Sequence, residues 1–337
     1  MISRAVPDDS GRTLVTLDEI RAAAERIRGL AQRTPLVETR RARPGDGSPR
    51  RAGPGDPPLF LKCENLQPMG AFKIRGACNM LAQLPADARA AGVITYSSGN
   101  HGQAVALAAQ HFGVPAVVVM PETAPRVKVD GVRRYGGEVI FAGTTSLDRK
   151  KRAEAEMAAR GLTMVPPFDH PWIIAGAGTC GLEILEQAPD VRAVYVPVGG
   201  GGLIAGVSAA IKQSRQDVRV IGVEPTGAAK MTASRAAGHP VTLDKTASIA
   251  DGLLPLRPGD LTFAHVQAFV DDIVTVDDAA IADAVRWLFE TTQMVVEPSG
   301  ATSVAAALHA SDVLAGTVAV VSGGNIAAAD HARYLSA

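Results

Sequence analysis

The chain has 337 residues, 47% of them hydrophobic and only 4% aromatic, which is enough for two domains of aliphatic strands and alanine-rich helices. Lys plus Arg and Asp plus Glu each number 34, so the formal net charge is zero, which excludes a general attraction to nucleic acid or an anionic membrane. No apolar run reaches the ~18 residues of a membrane helix, residues 1–12 are polar without a signal-peptide core, and Cys63, Cys78 and Cys180 form no C-x-x-C pair; a cytoplasmic protein with reduced thiols is expected.

In chain order, Thr16-Leu17-Asp18-Glu19 reads as a capping box opening an amphipathic helix to about residue 30. Residues 1–15 and 40–58, the latter dense in Arg, Pro and Gly, predict flexible surface segments. Apolar runs predict strands over 59–63, 92–96, 115–120, 138–141, 192–198, 218–223, 273–276 and 317–321. Helical patterns fall between them over 126–135, 147–159, 204–213 and 279–291. Such alternation predicts an α/β protein whose open, parallel-type sheets are covered by helices on both faces.

Four segments in this frame carry chemistry. Lys73 follows Gly70-Ala71-Phe72 at a helix start, where partial desolvation favours a neutral, nucleophilic amine able to form a Schiff base with an aldehyde cofactor such as pyridoxal phosphate. The competing reading is a surface lysine opening an amphipathic helix. Ser97 to Gln103 follows a strand and opens a helix, which suits a substrate carboxylate. There Asn100 can donate to a phenolate oxygen and Ser98 can deliver a proton, while His101 reads either as a base or as a hydrogen-bonded structural histidine. Gly199, Gly200, Gly201 and Gly202 run from a strand into a small-residue helix and make an anion cradle of backbone N–H groups. A dinucleotide loop is the alternative, although the G-x-G-x-x-G spacing is absent and only Glu224 could supply its acidic residue. Ser322 ends the last strand, and its hydroxyl either meets a pyridine nitrogen or belongs to a plain β-turn.

Taken together, the lysine motif, the Ser97 to Gln103 loop, the tetraglycine loop and the Ser322 turn resemble the fold-type II (tryptophan synthase beta-like) pyridoxal-phosphate enzymes, closest to threonine/serine dehydratase and serine racemase. The likeness runs from about Leu17 onward and includes Pro166 to Asp169, Gly176 to Glu183, Gly222 to Pro225, Ala250 to Gly252 and Val296 to Ala301. It implies that Lys73 carries the cofactor and moves the substrate Cα proton, and that Phe72 packs on the ring. Asn100 would meet its O3′, the four glycines its phosphate and Ser322 its pyridine nitrogen, with Ser97, Ser98, Asn100 and His101 around the substrate.

The resemblance further implies a large domain from 1–84 and 167–337, a small inserted domain from 85–166, and a homodimer. With only a short helix after Ser322, no appended regulatory domain is expected. The expected reaction is deamination of L-threonine or L-serine to a 2-oxo acid and ammonia. The alternatives are serine racemisation, which Ser98 supports, and 3-hydroxyaspartate dehydration, for which Arg75, Arg126 and Arg133 are the candidate cations. A non-catalytic amino-acid-binding protein is a remote further reading.

Three residues depart from the family pattern: Ala71 replaces a serine, Ala177 a glutamine, and Lys230 an aspartate of the divalent-cation-activated branch, in which Glu224 matches a metal-ligating glutamate. A charged lysine donates three hydrogen bonds and ligates nothing, so no Mg²⁺ or Ca²⁺ is expected. The alternative is a solvated Lys230 far from Glu224.

Overall fold

The computed structural model describes residues 13–40, 58–97, 99–310 and 315–336. Its strands are β1 (Leu36–Arg40), β2 (Pro58–Cys63), β3 (Val93–Tyr96), β4 (Ala116–Met120), β5 (Glu138–Phe141), β6 (Thr163–Met164), β7 (Ala193–Pro197), β8 (Arg219–Pro225), β9 (Asp272–Val276) and β10 (Thr317–Val321). They form two sheets, ordered β1-β2-β10-β7-β8-β9 and β5-β4-β3-β6. Every pairing is parallel except β1 with β2. The fold is α/β, as the alternation predicts.

Strands β4 and β10 read Ala-Val-Val-Val-Met and Thr-Val-Ala-Val-Val and are buried along their whole length. Helices cover both faces of the sheets, so polar residues have no solvent side to occupy. Each valine enclosed in this way contributes about 1.5–3 kcal/mol.

The observed elements differ from expectation in four places. The first helix, Leu17–Arg26, has the capping box but stops short of residue 30, because Gly29 turns the chain at φ +80°. Leu14 and Val15 are buried, and the Val15 N–H donates to His265 Nε2 at 2.9 Å. The flexible segment predicted for 1–15 therefore does not reach them, and the rest of it lies outside the described residues. Arg40 pairs with Pro58 across β1 and β2, leaving 41–57 outside the described residues. Strand β6, two residues long, is too short to give a periodic signal.

Parallel strands align their C-terminal ends on one edge of each sheet, where ligands of open α/β sheets bind. The Ser97 to Gln103 segment follows β3, the glycines follow β7 and Ser322 follows β10. Three of the four chemistry-bearing segments are thus exits from parallel strands. The fourth opens the helix Lys73–Gln83, which packs against Pro171–Gln187. Gly176 permits this close approach, because a Cβ there would run into the Arg75 carbonyl. The Gly-Ala-Gly stretch at 176–178 therefore serves helix packing, with Ala177 in the core.

Candidate active site

The lysine turn is stitched to the Ser322 turn by backbone. The Phe72 N–H donates to the Ser322 carbonyl at 3.1 Å, the Gly324 N–H donates to the Gly70 carbonyl at 2.9 Å, and Ala71 bridges Gly323. Asn325 Nδ2 donates to the Met69 carbonyl at 2.8 Å and to Asn100 Oδ1 at 2.9 Å. These bonds join residues some 250 positions apart in sequence, as in the 256-residue separation of Asn325 and Met69.

Lys73 begins its helix with Nζ 5.1 Å from the centroid of the Phe72 ring and 2.6 Å from the Pro167 carbonyl. Burial pulls its pKa down to about 8. No acidic residue lies in the helix's first turn, and the positive end of the helix dipole opposes the ammonium in the same direction. The arrangement yields a nucleophilic amine near neutral pH.

The next residue, Phe168, connects this lysine to the glycine loop. A Cβ on Gly200 would overlap the Phe168 ring, and Gly201 adopts φ +98°, a left-handed conformation suited to glycine. Gly200 O accepts from Thr262 Oγ1 at 2.7 Å and from the Gly259 N–H at 3.2 Å. Asp169 accepts from the N–H groups of Asp260, Leu261 and Thr262, each at 3.0 Å, fixing the supporting helix.

The N–H groups of Gly199, Gly200 and Gly201 have no acceptor among the described residues, and the helix Gly202–Ser214 adds the unpaired donors of its first turn. Such a set of unsatisfied donors fits a phosphate. The dinucleotide alternative fails on Glu224, which is buried and already accepts from the Met231 N–H, the Thr232 N–H and Thr232 Oγ1 at 2.8–2.9 Å. No ribose hydroxyl can reach it.

Asn100 stands at the start of its helix, with Nδ2 donating to Glu297 Oε1 at 2.5 Å. Glu297 is buried, and desolvation, with Asp251 nearby, raises its pKa to about 7. Ser322 is buried, and its hydroxyl makes only a long 3.4 Å bond to the Ser299 carbonyl. Ser97 Oγ accepts from the Gly99 N–H at 3.1 Å. His101 is buried with Nε2 3.0 Å from the Val165 carbonyl, and burial beside Lys73 lowers its pKa to about 3. The geometry supports the structural reading of this histidine, tied to the backbone and neutral. Ser98 lies outside the described residues.

Of the three arginines considered for a second carboxylate, Arg75 is already committed to other partners and the other two lie on the surface. Arg75 is locked among Glu64, Glu183 and Thr179 at 2.7–3.0 Å, Arg126 is 94% exposed, and Arg133 is exposed. Two cations, Lys128 and Arg333, border a nearby cavity, and Lys128 pairs with Asp251. Lys128, Asp251, Glu297, Asn325 and Arg333 border a cavity of about 310 Å³. Sequence reasoning missed Lys128, whose one signal is a charge set between two valines, Val127 and the buried Val129.

Lys230 and Glu224 are both fully buried and 3.1 Å apart, so the alternative of a distant, solvated lysine is excluded. No cluster of three or more His, Cys, Asp or Glu that could hold a metal occurs among the described residues. The three cysteines are buried free thiols; burial pushes Cys63 and Cys78 up to about 12 and Cys180 higher still. Among the described residues no helix is long and apolar enough to cross a membrane.

Residues 27–323 match the family described as pyridoxal-phosphate dependent enzyme. The chain belongs to this family. It is 43% identical to an L-threonine ammonia-lyase of Thermotoga maritima over 93% of this chain and 76% of that protein. A serine racemase of Oryza sativa subsp. indica is 45% identical over 80% of this chain and 81% of its own length. Among solved structures, maize serine racemase superposes with a TM-score of 0.86 at 37% identity, covering 96% of this chain and 97% of the maize chain. The fold is that of the type II pyridoxal-phosphate enzymes, and the cofactor is pyridoxal phosphate. Its requirements match what the residues offer: an amine of lowered pKa, a run of unpaired N–H groups, and a buried hydroxyl with one weak bond.

Proposed function

We propose that the protein deaminates a β-hydroxy amino acid, L-threonine or L-serine, to a 2-oxo acid and ammonia. The observation that carries this is the position of Lys73 Nζ at the Pro167 carbonyl, one residue from the phenyl ring packed on the glycine loop, in a chain 43% identical to an L-threonine ammonia-lyase. Bound pyridoxal phosphate supplies an aldehyde for the amino group and an electron sink for the Cα carbanion. The protein's own groups do the rest.

Gly199 to Gly202 hold the phosphate through backbone donors. Phe72 would support the ring, Asn100 would donate toward O3′, and Ser322 would offer a hydroxyl to the pyridine nitrogen. A hydroxyl there would not keep that nitrogen protonated as a carboxylate would, so the cofactor would supply a weaker electron sink, which suits loss of a β-hydroxyl. Ser97, Ser98 and the first turn of Asn100–Phe112 take the substrate carboxylate. Lys73 removes the Cα proton, which its lowered pKa suits near neutral pH.

In the net reaction the Cα–H and Cβ–O bonds break with loss of water. The resulting enamine takes up water again and releases ammonia, with no redox change. The lobe of residues 85–166, carrying Asn100 and Lys128, closes on the rest of the chain to keep water from the reacting carbon. The reading includes a cytoplasmic location, which three buried free thiols suit, and a homodimer.

Serine racemisation is a second reading, favoured by the 45% identity to the rice enzyme and by Ser98 preceding Gly99-Asn100. The test is a panel of L-threonine, L-serine, D-serine and the 3-hydroxyaspartate isomers, followed by 2-oxo acid and ammonia release. Chiral analysis of residual serine in D₂O accompanies it. Absence of 2-oxo acid from every member would overturn deamination, and solvent deuterium at Cα with inversion would establish racemisation.

A further inference from the structure

Lys230, like Lys62, is a cation at 0% exposure. Its Nζ lies 3.0 Å from the Val198 carbonyl, 2.9 Å from that of Ala228, 2.9 Å from that of Leu253 and 3.1 Å from Glu224 Oε1. Four oxygens therefore surround one nitrogen. A neutral amine has two N–H groups and a lone pair, which would have to face an oxygen, whereas an ammonium fills such a cage with donors only. Burial lowers the Lys230 pKa on balance, with the Glu224 carboxylate opposing that shift.

Each oxygen comes from a different part of the site. Val198 immediately precedes Gly199, Ala228 closes the 3-10 turn Thr226–Ala228, and Leu253 follows Asp251, the partner of Lys128. Glu224, the next-to-last residue of β8, is held by Met231 and Thr232.

We propose that the Lys230 ammonium is a built-in cation that positions the phosphate loop, occupying the place where the cation-activated branch resembled by the sequence would hold a divalent ion. This rests on the glycine loop as the phosphate site. The oxygen distances of 2.9–3.1 Å are those of an ammonium cage; Mg²⁺ requires about 2.0–2.1 Å and Ca²⁺ about 2.3–2.6 Å with six or more ligands. A divalent ion does not fit while Lys230 is present. One charge balances one carboxylate. Lys230 is a positioning residue that touches neither substrate nor cofactor.

The test reads pyridoxal-phosphate affinity from the absorbance of the bound chromophore, and the melting midpoint, with no amino acid present. It therefore stands apart from whether threonine is the substrate. Wild-type protein is expected to bind the cofactor equally in EDTA with tetramethylammonium chloride and in Mg²⁺ or K⁺ at matched ionic strength. A large gain from either ion overturns the proposal.

Lys230→Ala is expected to bind the cofactor roughly tenfold or more weakly. Methylammonium chloride, which replaces the lost Cε and Nζ, restores affinity where tetramethylammonium does not. A folded Lys230→Ala protein with wild-type affinity, or one that methylammonium leaves unchanged, overturns it. Should Lys230→Ala fail to fold, the Glu224→Gln/Lys230→Met pair removes both charges at nearly constant volume. That variant is expected to fold with weakened, cation-indifferent cofactor binding, and wild-type affinity or failure to fold in this pair also counts against the proposal.

Discussion

Lys73 Nζ and the Pro167 carbonyl oxygen lie 2.6 Å apart, and that oxygen is the acceptor holding the amine at its helix start. With a pKa lowered to about 8 by burial, the amine is neutral above that pH and charged below it. Only the neutral form attacks an aldehyde. The rate at which the cofactor-free protein captures pyridoxal phosphate should therefore rise with pH through a midpoint near 8 and level off above it. Stopped-flow absorbance checks this. Lys73→Arg, which stays charged, should show no pH-dependent capture and no borohydride-fixed adduct at position 73 by peptide mass.

Gly200 and Phe168 set the spacing between the phosphate loop and the lysine's anchoring segment. In Gly200→Ala the new methyl meets the Phe168 ring, so either the loop or the 167–168 segment must shift. We expect cofactor affinity to fall roughly tenfold to a hundredfold, the equivalent of 1.4 to 2.8 kcal/mol, with circular dichroism unchanged. Since the obstacle is space, the double variant Gly200→Ala/Phe168→Ala should recover part of the loss. A double variant no better than the single one would place the fault in the backbone.

Much of this arrangement was legible in the sequence because its signals are local. The valine runs of β4 and β10 betray strands buried on both faces, and a glycine run, a Ser-Gly-Asn-His start and a lysine after a glycine turn each announce an unusual backbone. What stayed hidden depends on which elements meet. Lys128 and Glu297 are ordinary charges until Lys128 reaches Asp251 and Asn100 reaches Glu297, 197 residues away. Arg75 looked available for a second carboxylate, yet it is consumed by Glu64 and Glu183, partners supplied by two other helical segments. The antiparallel pairing of β1 with β2 leaves no mark in composition.

Glu297 offers a pH test of the buried Asn100 contact. Its folded pKa of about 7 lies above the ordinary 4.5, because burial and Asp251 disfavour the carboxylate more than Lys128 and Asn100 favour it. Between those values the folded state binds more protons than the unfolded one, so stability falls as pH rises from about 4.5 to 7, and the penalty is fully present above 7. Glu297→Gln removes the ionisation and still accepts from Asn100 through its carbonyl oxygen. Relative to wild type, the cofactor-free variant should gain on the order of 2–3 kcal/mol across that window and no more above it. Urea unfolding at pH 5, 6, 7 and 8 gives the comparison, and a constant difference across all four would refute the buried-carboxyl account.

Arg75 provides the stability counterpart to these site predictions. Its guanidinium is 1% exposed and bonds Glu64 through Nε at 2.7 Å and Nη2 at 2.8 Å. It also reaches Glu183 through Nη1 at 2.7 Å and Nη2 at 2.8 Å, and Thr179 at 3.0 Å. Lys62 adds a second cation at 2.5 Å from Glu183. Arg75→Met would leave Glu64, at 0% exposure, without its guanidinium partner, at a cost of roughly 3–5 kcal/mol because the charge stays buried. Converting Glu64 to Gln in the same chain removes that stranded charge, so Arg75→Met/Glu64→Gln should be more stable than Arg75→Met alone. Denaturant unfolding of the cofactor-free proteins measures both. An additive outcome, with the double variant worse by the sum of the two single changes, would mean that the pair is not the energetic unit its geometry implies.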